Sequence, residues 1–252
     1  MDEIEIRNPT SSLALNSPIK FLNTMQKEKI ILCCVITLLL FGCNSKPHPF
    51  PSSSGKMEGE VAPIYYPETG HTVSEPFLTF YLKTNGIKRL GYPITEVIEH
   101  EGWQVQYFQN ARLELHPEND HAYRITVGWL GELLHRTRPP ILNPFIRQGK
   151  YFPKTGHTLH GQFLTYFENN GGSVQFGLPI SEPFMANDGL IYQDLQSARF
   201  IWYPTLPKES QVQLEPLGEI YFLQSGLSLD YLKPIHPPST AVIQQSTLMP
   251  RN

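Results

Sequence analysis

The sequence predicts an α+β fold built from two tandem copies of one small module. Each copy reads as a short antiparallel sheet (a hairpin plus one strand) with one or two short helices. Three observations carry this. Residues 66–96 align without a gap to residues 152–182, with 13 identities in 31 positions, among them Thr69, Gly70, His71, Phe77, Leu78, Gly91 and Pro93. Each copy carries an apolar stripe at helical spacing, then a stretch that alternates with period two. Self-similarity at a fixed period is read before any single residue, because each repeat is one structural unit.

The first copy spans 64–137 and opens on a loop. Ser74 is placed to cap a helix over about 75–84, with Pro76 tolerated in its first turn and Gly86 where a left-handed residue would end it. Phe77, Leu78, Tyr81 and Leu82 form its buried stripe. Gly91-Tyr92-Pro93 then turns the chain. Trp103, Val105 and Tyr107 alternate with Gln104 and Gln106, and Leu113 and Leu115 alternate with Arg112, Glu114 and His116. That pattern predicts a hairpin with one buried and one wet face, turning at Gln109-Asn110. A last strand (Tyr123, Ile125, Val127) leads into Leu130-Gly131-Glu132. The second copy, 151–223, repeats the order with Phe163, Leu164 and Phe167, Gly171-Gly172, Gly177-Leu178-Pro179, a turn at Gln196-Ser197, and Leu217-Gly218-Glu219. Between the copies, 138–150 is a Pro-rich connector. The composition of 224–252 predicts a tail that is mostly disordered.

The start of the chain predicts where it works. Residues 30–41 are an apolar run shorter than the roughly 20 residues a membrane-spanning helix needs, with Lys27 and Lys29 before it. The run ends in Leu40-Phe41-Gly42-Cys43, which resembles a bacterial lipobox. That resemblance implies that 1–42 is a signal peptide, with Met25 a possible true start, and that Cys43 carries lipid. It implies a location in the bacterial cell envelope, outside the cytoplasm, with membrane contact through that lipid. The alternative is a short anchor that is never cleaved. Cys33 and Cys34 lie within the signal, so Cys43 would be the mature cysteine. Residues 43–63 read as a flexible tether.

Leu90-Gly91-Tyr92-Pro93, Phe176-Gly177-Leu178-Pro179 and Gln106-Tyr107-Phe108-Gln109-Asn110 resemble the LGFP-type repeat of secreted bacterial cell-wall proteins. The resemblance implies a non-catalytic module associated with cell-wall polysaccharide. The chain departs from that pattern at Ala111 and Ala198, where the family places glycine.

A net charge of −3 without a basic run argues against nucleic acid as a partner. Arg112 and Arg199, with Gln106 and Gln193 across the hairpin, are candidates to bind sugar hydroxyls or carboxylates. Their alternative is an internal ion pair, as between Arg112 and Glu114. Trp202 and Tyr203 are adjacent, so in a strand one faces outward and offers a stacking surface. His71 and His157 occupy the same place in both copies, fixing a loop or binding a ligand. No metal-ligand spacing, nucleophile motif or cofactor loop is evident. The expected function is therefore non-catalytic binding of cell-wall or exopolysaccharide glycan. An envelope scaffold that binds another protein is the alternative, and a glycan hydrolase a third.

Overall fold

The computed structural model describes residues 61–142 and 148–244. The expected signal, Cys43 and nearly all of the tether lie outside the described residues. The chain is α+β, with small antiparallel sheets and short helices.

The N-terminal half begins with a ribbon of β1 (Ile64–Tyr66) and β2 (His71–Val73). Two short helices follow, α1 (Leu78–Lys83) and α2 (Gly86–Arg89). Next come β3 (Ile98–His100), β4 (Trp103–Tyr107), β5 (Arg112–Leu115) and β6 (Ile125–Val127), which pair in chain order as one antiparallel sheet. Helix α3 (Leu130–Leu133) closes this half. The C-terminal half follows the same order. It has the ribbon β7 (Lys150–Phe152) and β8 (His157–Leu159), and helices α4 (Gly161–Asn169) and α5 (Gly172–Phe176). Its sheet is β9 (Phe184–Met185), β10 (Ile191–Asp194), β11 (Arg199–Trp202) and β12 (Val212–Leu214), and α6 (Leu217–Gln224) follows. Strand β13 (Val242–Ile243) then returns to lie parallel to β1.

Several sequence expectations change. The helix starts at Leu78, and the Ser74 side chain does not cap it; the Ser74 carbonyl accepts from the Phe77 and Leu78 amides. Asn85, at φ 55°, is the left-handed residue after α1. Gly86 is required for space instead, since a methyl there would stand 2.3 Å from the Tyr81 ring. The hairpin turns at Gln109-Asn110 and Gln196-Ser197 as expected, but both faces of the first sheet are buried near the turn, with Glu99 and Gln104 left exposed farther out. In antiparallel register, Gln106 lies opposite Leu113 and Tyr107 opposite Arg112. Directly opposed residues share a face, so Leu113 and Leu115 point away from Val105 and Tyr107. One face packs on Tyr81 and Phe108, the other on Phe222 and Leu217. Apolar residues on both faces need two covers, and the second cover comes from the other half.

That exchange is reciprocal. Gly131 of α3 sits on the C-terminal hairpin turn, where a methyl would stand 2.1 Å from the Leu195 carbonyl oxygen. Gly218 of α6 sits on the N-terminal turn, where a methyl would stand 1.8 Å from the Phe108 carbonyl oxygen. Leu130 and Leu217 meet in one apolar cluster between the halves. The segments after these helices cross over too. The Ile141 amide donates to Gly156 O (2.9 Å), and the Ile235 amide to Gly70 O (2.9 Å). The expectation of a mostly disordered tail is thus corrected over 225–244. Leu227 and Leu232 pack on the shared cluster, and β13 extends the first ribbon. Sparse apolar residues in a Pro-rich stretch show no period, yet Leu227 and Leu232 find seats on the shared cluster while Leu229, Val242 and Ile243 stay exposed.

Candidate functional site

Gln106 and Gln193 are fully buried and do the same work in both halves. The Gln106 Nε2 donates to Thr72 O (2.8 Å) and Thr95 O (2.9 Å). The Gln193 Nε2 donates to Thr158 O (2.6 Å) and Ser181 O (2.9 Å). Each amide ties a sheet to its ribbon, so neither is on a surface that meets a ligand. The expectation of an exposed Arg–Gln pair fails on geometry, because Arg112 and Gln106 point to opposite faces of the sheet.

The two arginines are bonded internally. Arg112 is 3% exposed and donates through Nε to Glu114 (2.9 Å) and through Nη1 to Glu101 (2.8 Å) and the Tyr107 hydroxyl (3.2 Å). Its guanidinium lies 5.3 Å from the centre of the Tyr221 ring. Burial alone would lower its pKa, but Glu114 and Tyr107 outweigh that and raise it. Arg199 grips Asp194 with two bonds (2.6 and 3.2 Å) and reaches Glu215 at 3.4 Å. Arg136 also bonds Glu215. The internal ion pair considered for Arg112 is the arrangement found.

His71 and His157 are each 1% exposed. The His71 Nδ1 lies 3.3 Å from Glu96 and its Nε2 3.4 Å from Leu232 O. The His157 Nδ1 lies 3.2 Å from Glu182 and its Nε2 3.1 Å from Arg138 O. Each ring thus fastens a segment arriving from the other half to its own ribbon. His71 also borders a cleft of about 260 Å³, and His157 one of about 420 Å³. Among the described residues no three or more His, Cys, Asp or Glu side chains gather as metal ligands would. No described helix is long and apolar enough to cross a membrane.

Trp202, expected as a stacking surface, packs against the core of the C-terminal half. Tyr203 is half-buried, and its amide donates to Gln211 O (2.7 Å). The register explains this. Trp202 opposes Val212, as Leu115 opposes Ile125 in the other half, so both residues sit on the helix-covered face.

That same position opens a groove in the N-terminal half. The space between α1 and the β5–β6 corner holds about 690 Å³, within the roughly 300–1,000 Å³ typical of ligand sites. Phe80, Leu115 and Ile125 give it an apolar floor; Thr79, Lys83, His121 and Arg124 line its rim, with Pro76 and Pro117. Sequence reasoning missed these residues because it searched for side chains shared by both copies. Lys83 and Arg124 align with Asn169 and Gln211, and Leu115 with Trp202, so the groove is marked by where the two halves differ. No protein-family model matches the chain, and neither does any curated protein.

Proposed function

We propose that this chain is a lipid-anchored, non-catalytic protein of the bacterial cell envelope that holds a cell-wall or surface glycan in the groove between α1 and the β5–β6 corner. Its halves are read as two copies of one module. The lipobox-like Leu40-Phe41-Gly42-Cys43 supports the anchor. Matching element order and matching glutamine and histidine bonds support the duplication. The observation that carries the binding reading is the groove itself. An apolar floor with an aromatic ring and a rim of hydrogen-bonding groups is the chemistry a sugar ring uses, since its C–H faces are apolar and its edges carry hydroxyls.

A second reading, a scaffold that binds another protein, draws on Trp129 and Leu133. Trp129 precedes α3 and Leu133 ends it one turn later, and they are 53% and 40% exposed. Pelleting of the full-length chain carrying Cys43→Ser with insoluble cell-wall polysaccharide separates the two. Leu115→Trp copies the C-terminal half and should fill the groove. Pelleting should then be lost while circular dichroism is kept. Unchanged pelleting would remove the groove as the site. A folded protein that never pellets would turn the reading toward the scaffold.

A further inference from the structure

Resting on the glycan-binding reading, we infer that the groove takes an acidic polysaccharide, one whose sugars carry carboxylates. Lys83, on the last turn of α1, and Arg124, just before β6, face the same groove from two elements, and both are exposed. Neither is in an ion pair among the described residues, whereas Arg112, Arg136 and Arg199 are each held by carboxylates. The acid in the lining, Glu75, accepts a hydrogen bond from the Thr79 hydroxyl. His121 adds a further nitrogen donor to the rim. Arg124 donates through Nε to Asn119 O (3.3 Å), and on a chain of net charge −3 two cations outside any described ion pair across one groove are a local excess.

The comparison between halves gives an independent argument. Where Trp202 replaces Leu115, Asn169 and Gln211 replace Lys83 and Arg124. The charges occur in the half where the groove is open. A carboxylate between an ammonium and a guanidinium forms charge-assisted hydrogen bonds, about twice as strong as neutral ones. An acidic peptide fits less well. Peptides commonly dock by adding a strand to a free edge, and α5 and the Ser197 hydroxyl, which donates to Val127 O, lie against the β6 side of this sheet. Recognition by side chains over an apolar floor suits a sugar ring.

The test titrates the full-length chain carrying Cys43→Ser with polygalacturonate, its methyl-esterified neutral form, dextran and poly-glutamate. Polygalacturonate should bind, esterification should weaken binding about tenfold, and binding should fade as salt approaches 1 M, where screening acts over about 3 Å. Lys83→Glu with Arg124→Glu should cost tenfold or more, and Lys208→Glu, outside the groove, should change nothing. Equal binding of neutral and acidic glycans, or no effect of the double variant, would overturn the acidic preference and leave glycan binding standing. Failure of every glycan would overturn both. Tighter binding of poly-glutamate would replace the polysaccharide with an acidic peptide.

Discussion

The two halves hold an arginine at the same place in the same hairpin and stabilise it by different means. Over the N-terminal sheet lies α6 of the C-terminal half, eight residues long, which places Tyr221 and Phe222 against it. Arg112 is sealed beneath Tyr221 and bonded to Glu101 and Glu114. Against the C-terminal hairpin turn lies α3 of the N-terminal half, only four residues long, and the chain leaves it through His135 at φ 56°. No helix of equal length covers Arg199, whose side chain is 17% exposed. It lies 5.7 Å from the Phe184 and Tyr192 rings of its own sheet and pairs with the buried Asp194, which stands where the other half has Tyr107. Both arginines are thus tied across the halves, Arg112 beneath Tyr221 of α6 and Arg199 through the Asp194 and Glu215 that it shares with Arg136. The longer helix is the one that seals its arginine.

The largest effect should come from the reciprocal seats. Gly218→Ala and Gly131→Ala each drive a methyl into a backbone carbonyl, and overpacking of this kind costs about 3 kcal/mol or more where the backbone cannot yield. If the exchange is balanced, both variants lower the urea midpoint by similar amounts. Unfolding should remain one transition by fluorescence and circular dichroism. Two separated transitions would show that the halves fold apart. Next in size, Arg112→Leu should cost about 3 kcal/mol, because Glu101 loses its bond to the guanidinium and the part-buried Glu114 keeps only His116. Arg199→Leu should cost less, about 1–2 kcal/mol after solvent screening, since Arg136 stays beside both Glu215 and the buried Asp194 (3.8 Å). Equal losses would break the distinction between a sealed and an open arginine.

Much of this fold could be read from the sequence, and the parts that could not share a cause. The helices, the hairpin turns and the repeated order follow from local spacing. The ribbons β1–β2 and β7–β8 and the strands β3 and β9 are two or three residues long, too short for any period to show. The assignment of Gln106 and Arg112 to a wet face assumed a sheet covered on one side. Leu113 and Tyr107 both being apolar, on opposite faces, already conflicts with that. Leu130-Gly131-Glu132 and Leu217-Gly218-Glu219 were visible as a match, but their purpose depends on a carbonyl more than 60 residues away. The candidate site was hidden for a different reason. Repetition draws attention to shared residues, and shared residues such as Gln106, Gln193, His71 and His157 hold the module together. Lys83, Leu115 and Arg124 are distinguished by not being shared.

The smallest expected difference lies in acid. Glu101 and Asp188 stand at the same turn of the two hairpins. Burial pushes the Glu101 carboxyl up, but hydrogen bonds from Tyr221 and Arg112 outweigh it and hold the group below its ordinary 4.5. Asp188 is held below its ordinary 3.8 by the Tyr192 hydroxyl and the Leu190 amide. The Tyr221 hydroxyl, pushed up to about 12 by burial and by Glu101, stays a donor throughout. A carboxyl whose pKa is lower folded than unfolded binds fewer protons in the native state. Its contribution to stability is full above the ordinary value and is lost as pH falls through the lowered folded value. Glu101 therefore acts below about pH 4.5 and Asp188 only below about 3.8, and solvent exposure keeps both effects small. Their reach differs. The Glu101–Tyr221 bond joins the first sheet to α6, whereas Asp188 bonds only within its own hairpin. Amide exchange in α6 should quicken as pH falls below 4.5, beyond the intrinsic change in exchange chemistry. Glu101→Gln should remove most of that pH dependence and Asp188→Asn should leave it intact. An α6 that responds equally to both variants would mean that acid acts on the whole body, and that the cross-half tie at Glu101 is not what distinguishes the two hairpins.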